Sequence, residues 1–401
     1  MNILILTQYY LPETGAPQNR LSSLALHLQN IGNNVLVHTA MPNYPRGEIY
    51  PGYENKKSLL ENINGITVSR SSIFITNKKN LSARLRNYFS FAASSYYHLR
   101  QSKKKIDVLV CESPPLFLGI TAVYLKRKFN CKLVFNVSDL WPESVEKMGI
   151  IKNKWIIKRA YKLANWIYKN ADLISGQTKG IVEGIRQMQP SKKIIWFPNG
   201  VDLEFFSLEN TVNSSSKNSF DILYAGIIGH AQGLEIILHA ANNLQHTKNI
   251  HFYIIGDGPE KTKLLRLQTE YKLSNVTFIS NQPREFIFQK ITECNAYLVP
   301  LRKLDLFKGA IPSKLFEPLA FGKPILLGVD GEAKQLFIDE GKGGLYFEPE
   351  NVAQLTEAIM ELYNNEELAK TLGSNGKKYV MQYFNREEIA KNFDAQLKQL
   401  F

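Results

Sequence analysis

The chain has 401 residues, 44% hydrophobic and 21% charged, the balance of a soluble globular protein large enough for two ordinary domains and not of a disordered one. Its net charge of +13 sits in the first half: residues 1–200 carry 28 Lys and Arg against 11 Asp and Glu, and residues 201–401 carry 21 against 25. Three scattered cysteines exclude a disulfide framework, and no stretch approaches the ~20 apolar residues of a spanning helix.

The opening MNILILTQYY has no basic n-region and an apolar run of four residues, so it reads as a strand, Asn2–Thr7, and not as a signal peptide. These features point to a cytoplasmic protein, at most resting on a membrane. The segment QYYLPETGAPQNR follows, a loop marked by Pro12, Gly15 and Pro17, and a helix runs from about Pro17 to Asn30 with Leu21, Leu24, Ala25 and Leu28 on one face. Strand, glycine loop and helix make the first βα unit of a doubly wound domain, whose ligands bind at the C-terminal strand edge. Without G-x-G-x-x-G a dinucleotide is disfavoured. Arg20 reads either as a surface helix residue or as part of that edge.

After a strand at Val35–Thr39 comes MPNYPRGEIYPGY, a Pro-, Gly- and Tyr-rich loop of the kind that carries function in a compact domain. Residues 81–101 place Leu81, Leu85, Tyr88, Phe89, Ala92, Tyr96 and Leu99 at helical spacing, flanked by Arg84, Arg86, Arg100 and Lys103–Lys105. Two readings stand open, a core-facing helix with a charged outer face and a membrane-surface helix with a basic rim. Strands at Asp107–Cys111 and Lys132–Val137 follow, the second ending in SDLWPES. There Asp139 and Trp141 suit a sugar-binding lip, the acid taking a hydroxyl and the ring a sugar face, although Trp141 alone could equally be core. A second basic helix spans Lys152–Lys169, and Ile194–Phe197 leads into PNGVD, Pro198 to Asp202.

The second half repeats the βα rhythm. Strands are expected at Phe220–Ala225, Ile250–Ile255, Asn275–Ile279, Ala296–Pro300, Pro324–Val329 and Gly344–Phe347, with glycine loops GIIGHAQG and GDGPEK after the first two, and a last helix at Arg386–Leu400. In GAIPSKLFEPLAFGKPIL, Pro312 and Ser313 read as a helix start whose unpaired N–H groups favour an anion such as a diphosphate. Lys314 adds positive charge in the same turn, and Glu317 is placed to accept hydrogen bonds from a ribose diol. A capped αβ unit with Lys314 and Glu317 on its wet face is the plainer alternative. No D-x-D, H-x-x-x-H, C-x-x-C, P-loop or G-x-S-x-G occurs, so no metal site is expected.

The run of TQYYLPETGAP, SDLWPES, PNGVD, GHAQGLE, GDGPE and PSKLFEPLAFGKP resembles the retaining family 4 glycosyltransferases of GT-B fold over nearly the whole chain. Within them it looks most like the bacterial polysaccharide-assembly branch that includes WbuB-type L-fucosaminyltransferases. The resemblance implies two Rossmann-like doubly wound α/β domains facing each other across a cleft: residues 1–200 on the acceptor side, 201–383 for the nucleotide sugar, and a helix at 384–401 crossing back. It implies Gly15, Gly256, His230, Ser313, Lys314 and Glu317 around a nucleotide-sugar donor, UDP-linked. Asp139, Arg20 and Glu13 would lie around the transferred sugar, with Trp141, Tyr44 and Arg46 on the acceptor side and Asn199 tying the hinge.

The sequence departs from the family pattern at three places. Gly309 replaces the first of two glutamates separated by seven residues, Ser138 replaces a histidine, and Ile227 and Gln232 replace the Arg and Lys of the usual diphosphate loop, leaving His230 and Lys314 as substitutes. The implied reaction is metal-independent transfer, with retention, of a hexosamine such as FucNAc to an undecaprenyl-diphosphate-linked glycan at the inner face of an anionic membrane. A nucleotide-sugar epimerase of the same architecture is the alternative. A nucleic-acid binder is suggested by pI alone, without any recognisable module.

Overall fold

The structure is a computed structural model that describes residues 1–44, 47–75, 81–149, 151, 153–202, 219–247 and 249–401. It divides into two compact units, Met1–Asn199 with Arg386–Phe401, and Gly200–Asn385.

The first unit is built on β1 (Asn2–Leu6), α1 (Ala16–Asn30), β2 (Asn34–Ala40), β3 (Ser58–Ile63), β4 (Ile66–Ser71), α2 (Leu81–Leu99), β5 (Val108–Ser113) and α3 (Leu118–Phe129). It continues with β6 (Lys132–Val137), α4 (Glu143–Lys147), α5 (Lys154–Asn170), β7 (Leu173–Gly176), α6 (Lys179–Met188) and β8 (Ile194–Trp196). The sheet order is β3-β4-β2-β1-β5-β6-β7-β8, parallel except for β3 against β4. Strands such as β1 and β5 are apolar runs buried on both faces, as helices on both sides of a parallel sheet require. The β3–β4 hairpin, SLLENI and ITVSRS, lacks the continuous apolar runs of the other strands. Its local signal is Asn64–Gly65, both at positive φ (53° and 85°), a pair suited to a two-residue hairpin turn.

The second unit comprises β9 (Phe220–Ala225), α7 (Glu235–Asn243), β10 (Ile250–Ile255), α8 (Lys261–Glu270), β11 (Val276–Ile279), α9 (Arg284–Glu293) and β12 (Ala296–Pro300). Then come α10 (Phe316–Ala320), β13 (Ile325–Gly328), α11 (Glu332–Lys334), β14 (Gly344–Tyr346), α12 (Val352–Asn364) and α13 (Glu366–Tyr383). Its sheet is fully parallel, β11-β10-β9-β12-β13-β14. The last helix, α14 (Arg386–Lys398), packs on α1 in the first unit, where Phe393 stacks on Phe197 at 4.4 Å and Asp394 accepts from Asn33 at 2.8 Å. In each sheet the connections reverse direction beside the first strand, between β1 and β5 and between β9 and β12. Doubly wound folds bind ligands at the C-terminal ends of such strands.

The apolar stripe of α2 is divided between two faces. Ala83, Phe91, Ala92, Ser95 and Leu99 are buried, whereas Phe89 and Tyr96, two positions of the stripe, are 47% and 36% exposed. The buried face is rotated because α2 meets polar rows of the sheet as well as α3. His38 is fully buried beneath it, bonded to Ser69 and Ser71 and ringed by Phe91 and His98, while Ser94 bonds Ser71 at 3.1 Å. Among the described residues no helix is long and apolar enough to cross a membrane.

Candidate active site

At the ligand edge of the first unit, Gly15 caps α1 and Pro17 occupies its first turn, a start that needs no N–H from the proline. A Cβ on Gly15 would lie 2.5 Å from Gln18 Oε1, so a side chain there would force Gln18 aside. Glu13, expected beside the sugar, is instead an interior anchor. Its Oε1 accepts from the Asn43 and Tyr44 backbone N–H groups at 2.7 and 2.8 Å, and its Oε2 from Gln18 at 3.3 Å. Burial pushes the Glu13 carboxyl above its ordinary range while those bonds pull it back. Glu13 thereby fixes the start of the 41–53 loop, and Tyr44 stands half-buried with its ring edge-on to Tyr9 at 5.5 Å. Arg46 lies outside the described residues.

Arg20 is not a surface residue. It is buried, paired with Glu112 at 2.6 Å and bonded to Ser138 Oγ at 3.1 Å, and its Nε lies 2.6 Å from the Gln177 side-chain amide, whose oxygen accepts from it once the amide is turned to face its donors. Glu112 also accepts from Asn136 at 2.6 Å and from Ser138. Ser138, standing where the family has histidine, thus belongs to an internal polar network under the sheet edge. Asp139 is half-buried, bonded to Ser144 at 2.9 Å, and desolvation raises its carboxyl above the usual carboxylate range. Trp141 meets the Phe117 ring at 5.4 Å and packs on the core while remaining partly exposed. Asn199 accepts from the Arg386 guanidinium at 3.1 Å, which ties it to the first residue of α14.

In the second unit, Gly226 and Gly256 close the ends of β9 and β10, both at φ 148°. A Cβ on Gly256 would fall 1.9 Å from the Gly226 carbonyl oxygen, so only glycine permits this approach of the two loops. His230 is exposed in a single 3₁₀ turn, His230–Gln232, and its carbonyl, not its ring, is engaged, accepting from Arg302 Nε at 2.8 Å. Arg302 also pairs with Glu235 at 2.9 Å and Glu350 at 3.1 Å, buttressing the loop from β12.

The helix start at Ser313 is corrected too. Pro312 is the cap residue, Ser313–Leu315 is a 3₁₀ turn without a side-chain cap, and α10 has only five residues. Proline at 318 cannot donate a helical bond and Gly322 ends the segment early. Lys314 Nζ donates to Tyr224 Oη at 2.6 Å and lies 4.0 Å from that ring's centroid. Desolvation lowers its pKa to about 7, so the full charge expected in this turn is not permanent. Glu317 Oε1 pairs with Arg284 Nη2 at 2.9 Å on the first turn of α9. Tyr224, Arg284, Glu112 and Arg302 escaped the sequence reading. Glu112 and Tyr224 had a local signal, a polar group in an otherwise apolar strand next to a strand end. Arg284 and Arg302 had none, because their partners are distant in the chain. Among the described residues no three His, Cys, Asp or Glu side chains gather as a metal site.

The family models divide the chain much as the units do. Residues 18–205 match Glycosyltransferase Family 4 and residues 208–379 match Glycosyl transferases group 1. The chain carries the two domains of a glycosyltransferase. It is 24% identical over 376 residues to WcaI of Escherichia coli K12, a glycosyl transferase assigned to colanic acid biosynthesis, spanning 90% of this chain and 92% of that one. Its fold superposes on sucrose-phosphate synthase of Thermosynechococcus elongatus with a TM-score of 0.74 at 18% identity, covering 100% and 99% of the two chains. Anabaena HepE, solved with UDP and glucose, gives 0.71 at 16% over the full length of both. The glycosyltransferase is therefore of the two-domain GT-B type. The epimerase alternative finds no support among these relatives.

Proposed function

We propose that this glycosyltransferase moves a sugar, with retention at the anomeric carbon, from a nucleoside diphosphate donor to a lipid-linked glycan in surface polysaccharide assembly. The observation that carries the donor half is the grouping of Lys314, the Gly226 and Gly256 loops and Glu317 at one strand edge of the second unit. Glu317 takes the ribose and Lys314 the diphosphate. Transfer then relies on positioning and on stabilising the departing diphosphate, with the leaving oxygen taking the acceptor's proton and no protein nucleophile. The likeness to WcaI favours a polysaccharide acceptor such as O-antigen or capsule, with undecaprenyl diphosphate as its lipid. UDP in the HepE complex favours a UDP-linked sugar, and FucNAc is the sugar suggested by the WbuB-type motifs. A thermal-shift screen of nucleotide sugars, followed by transfer of the stabilising one to lipid extracts, tests the reading. No shift with any of them would sink it.

The chemical step is expected to need no divalent ion, because Lys314 supplies the charge a metal would otherwise bring. Activity should survive EDTA; a strict requirement restored by titrating Mg²⁺ or Mn²⁺ back would contradict the proposal.

The first unit is the membrane side in this reading. Its exposed Phe89, Tyr96 and Tyr97 on α2, Tyr124 on α3 and Trp155 and Ile156 on α5 are interleaved with Arg84, Arg86, Arg100, Lys158 and Arg159. Aromatic rings with cations beside them suit the interface of an anionic bilayer, each Lys or Arg contributing on the order of 1 kcal/mol at low salt. Flotation with phosphatidylglycerol liposomes should show binding that falls with salt. It should fall further after Arg84, Arg86 and Lys103–Lys105 are changed to Gln. Binding indifferent to lipid charge, salt and these changes would leave α2 a core helix only.

A further inference from the structure

Arg284, Arg302, Lys261 and Lys290 of the second unit each pair with an Asp or Glu side chain. Lys314, equally half-buried, has no carboxylate within salt-bridge distance among the described residues, and its ammonium donates to a neutral phenol. Against it stand Tyr224 on β9 and the Gly226 backbone, where a Cβ would sit 2.7 Å from Nζ, and Glu317 on α10, one turn along the chain, has its carboxylate engaged by Arg284 of α9. Tyr224 Oη in turn donates to the Ile227 carbonyl oxygen at 2.7 Å, tying the lysine to the first glycine loop. Burial raises the Tyr224 phenol far above its ordinary range, so it stays protonated and serves only as this link.

Resting on the donor reading above, we infer that capture of the donor is proton-linked at the Lys314–Tyr224 pair, the incoming diphosphate supplying the counter-charge that the fold withholds from Lys314. A cation drawn half out of water without a partner is relieved in one of two ways: it loses its proton, or it gains an anion. Near neutral pH the free enzyme is divided between ammonium and amine, consistent with the lowered pKa of about 7. The bound diphosphate favours the ammonium, so the amine fraction takes one proton from solvent or buffer acid on binding, its nitrogen lone pair forming the new N–H bond, and the donor itself is unchanged. Affinity is then full below about pH 7 and weakens as pH rises, until it levels off beyond the raised pKa of the complex. Tyr224 is a positioning residue, holding Nζ against the loop.

The test is calorimetry of the full chain with UDP-glucose, dTDP-glucose and GDP-mannose between pH 6 and 8.5, in buffers of different ionisation enthalpy. Nucleotide sugars are used because UDP has a terminal phosphate proton titrating near pH 6. The expected result is uptake of more than about half a proton per donor at pH 7.5, and a Kd rising roughly tenfold from pH 7 to 8.5. Lys314→Arg, whose guanidinium keeps its charge, should bind with no uptake and a flat profile. Tyr224→Phe removes an acceptor from the charged form and should move the midpoint to lower pH. A flat profile with no uptake in the unaltered enzyme overturns the inference while leaving the donor reading intact, as does a Lys314→Arg profile that keeps the original slope. Failure of all three donors to bind overturns the nucleotide-sugar reading, and this inference with it.

Discussion

Arg20→Met should lower the stability of the first unit by about 3–5 kcal/mol, because it leaves Glu112 as an uncompensated buried charge. The two side chains are 4% and 2% exposed, so solvent cannot replace the lost partner. Asn136 and Ser138 still donate to Glu112, which keeps the loss from being larger. For a unit of this size the shift in Tm is roughly 6–20 °C. A double change to Arg20→Met with Glu112→Leu should recover part of it, short of complete recovery because Asn136 and Ser138 lose their acceptor. Thermal unfolding followed by near-UV circular dichroism measures both. An unchanged Tm in the single variant would mean that Arg20 does not hold the network, and would return it to the list of residues free for substrate.

Glu317→Gln should cost ten- to over a hundredfold in donor kcat/KM, the worth of one charge-assisted hydrogen bond of about 1.5–3 kcal/mol. The amide keeps the shape of the carboxylate but loses its charge toward Arg284, 2.9 Å away, and one of its acceptors toward a ribose hydroxyl. The fold should survive, since both partners are about one-third exposed. Arg284→Lys then separates positioning from contact. A compact ammonium cannot reproduce the guanidinium's geometry, so donor KM should rise with little change in kcat. Unaltered kcat/KM in a folded Glu317→Gln variant would remove Glu317 from the donor site.

Both predictions turn on partners that lie far apart in the chain. Arg20 meets Glu112 across 92 residues and Arg284 meets Glu317 across 33. The amphipathic turn around Arg20 was compatible with a surface position, and only the arrival of β5 and β6 beside α1 makes it an interior cation. The interior position of Glu13 has the same origin: the backbone N–H groups that occupy it belong to residues 30 and 31 positions on.

By itself the sequence determined the alternation of strand and helix, because short apolar runs that alternate with helical patterns across glycine loops suit the strands of a parallel sheet covered on both faces. β6, β9, β10 and β12 begin and end where those runs do. It also determined the strand-end glycines, since a position such as Gly256 tolerates no side chain against the opposing carbonyl. The tertiary structure decided which way α2 faces, which of the charged residues are interior, and what state Lys314 occupies. Those depend on desolvation and on partners from other elements, and neither is a property of a residue and its sequence neighbours.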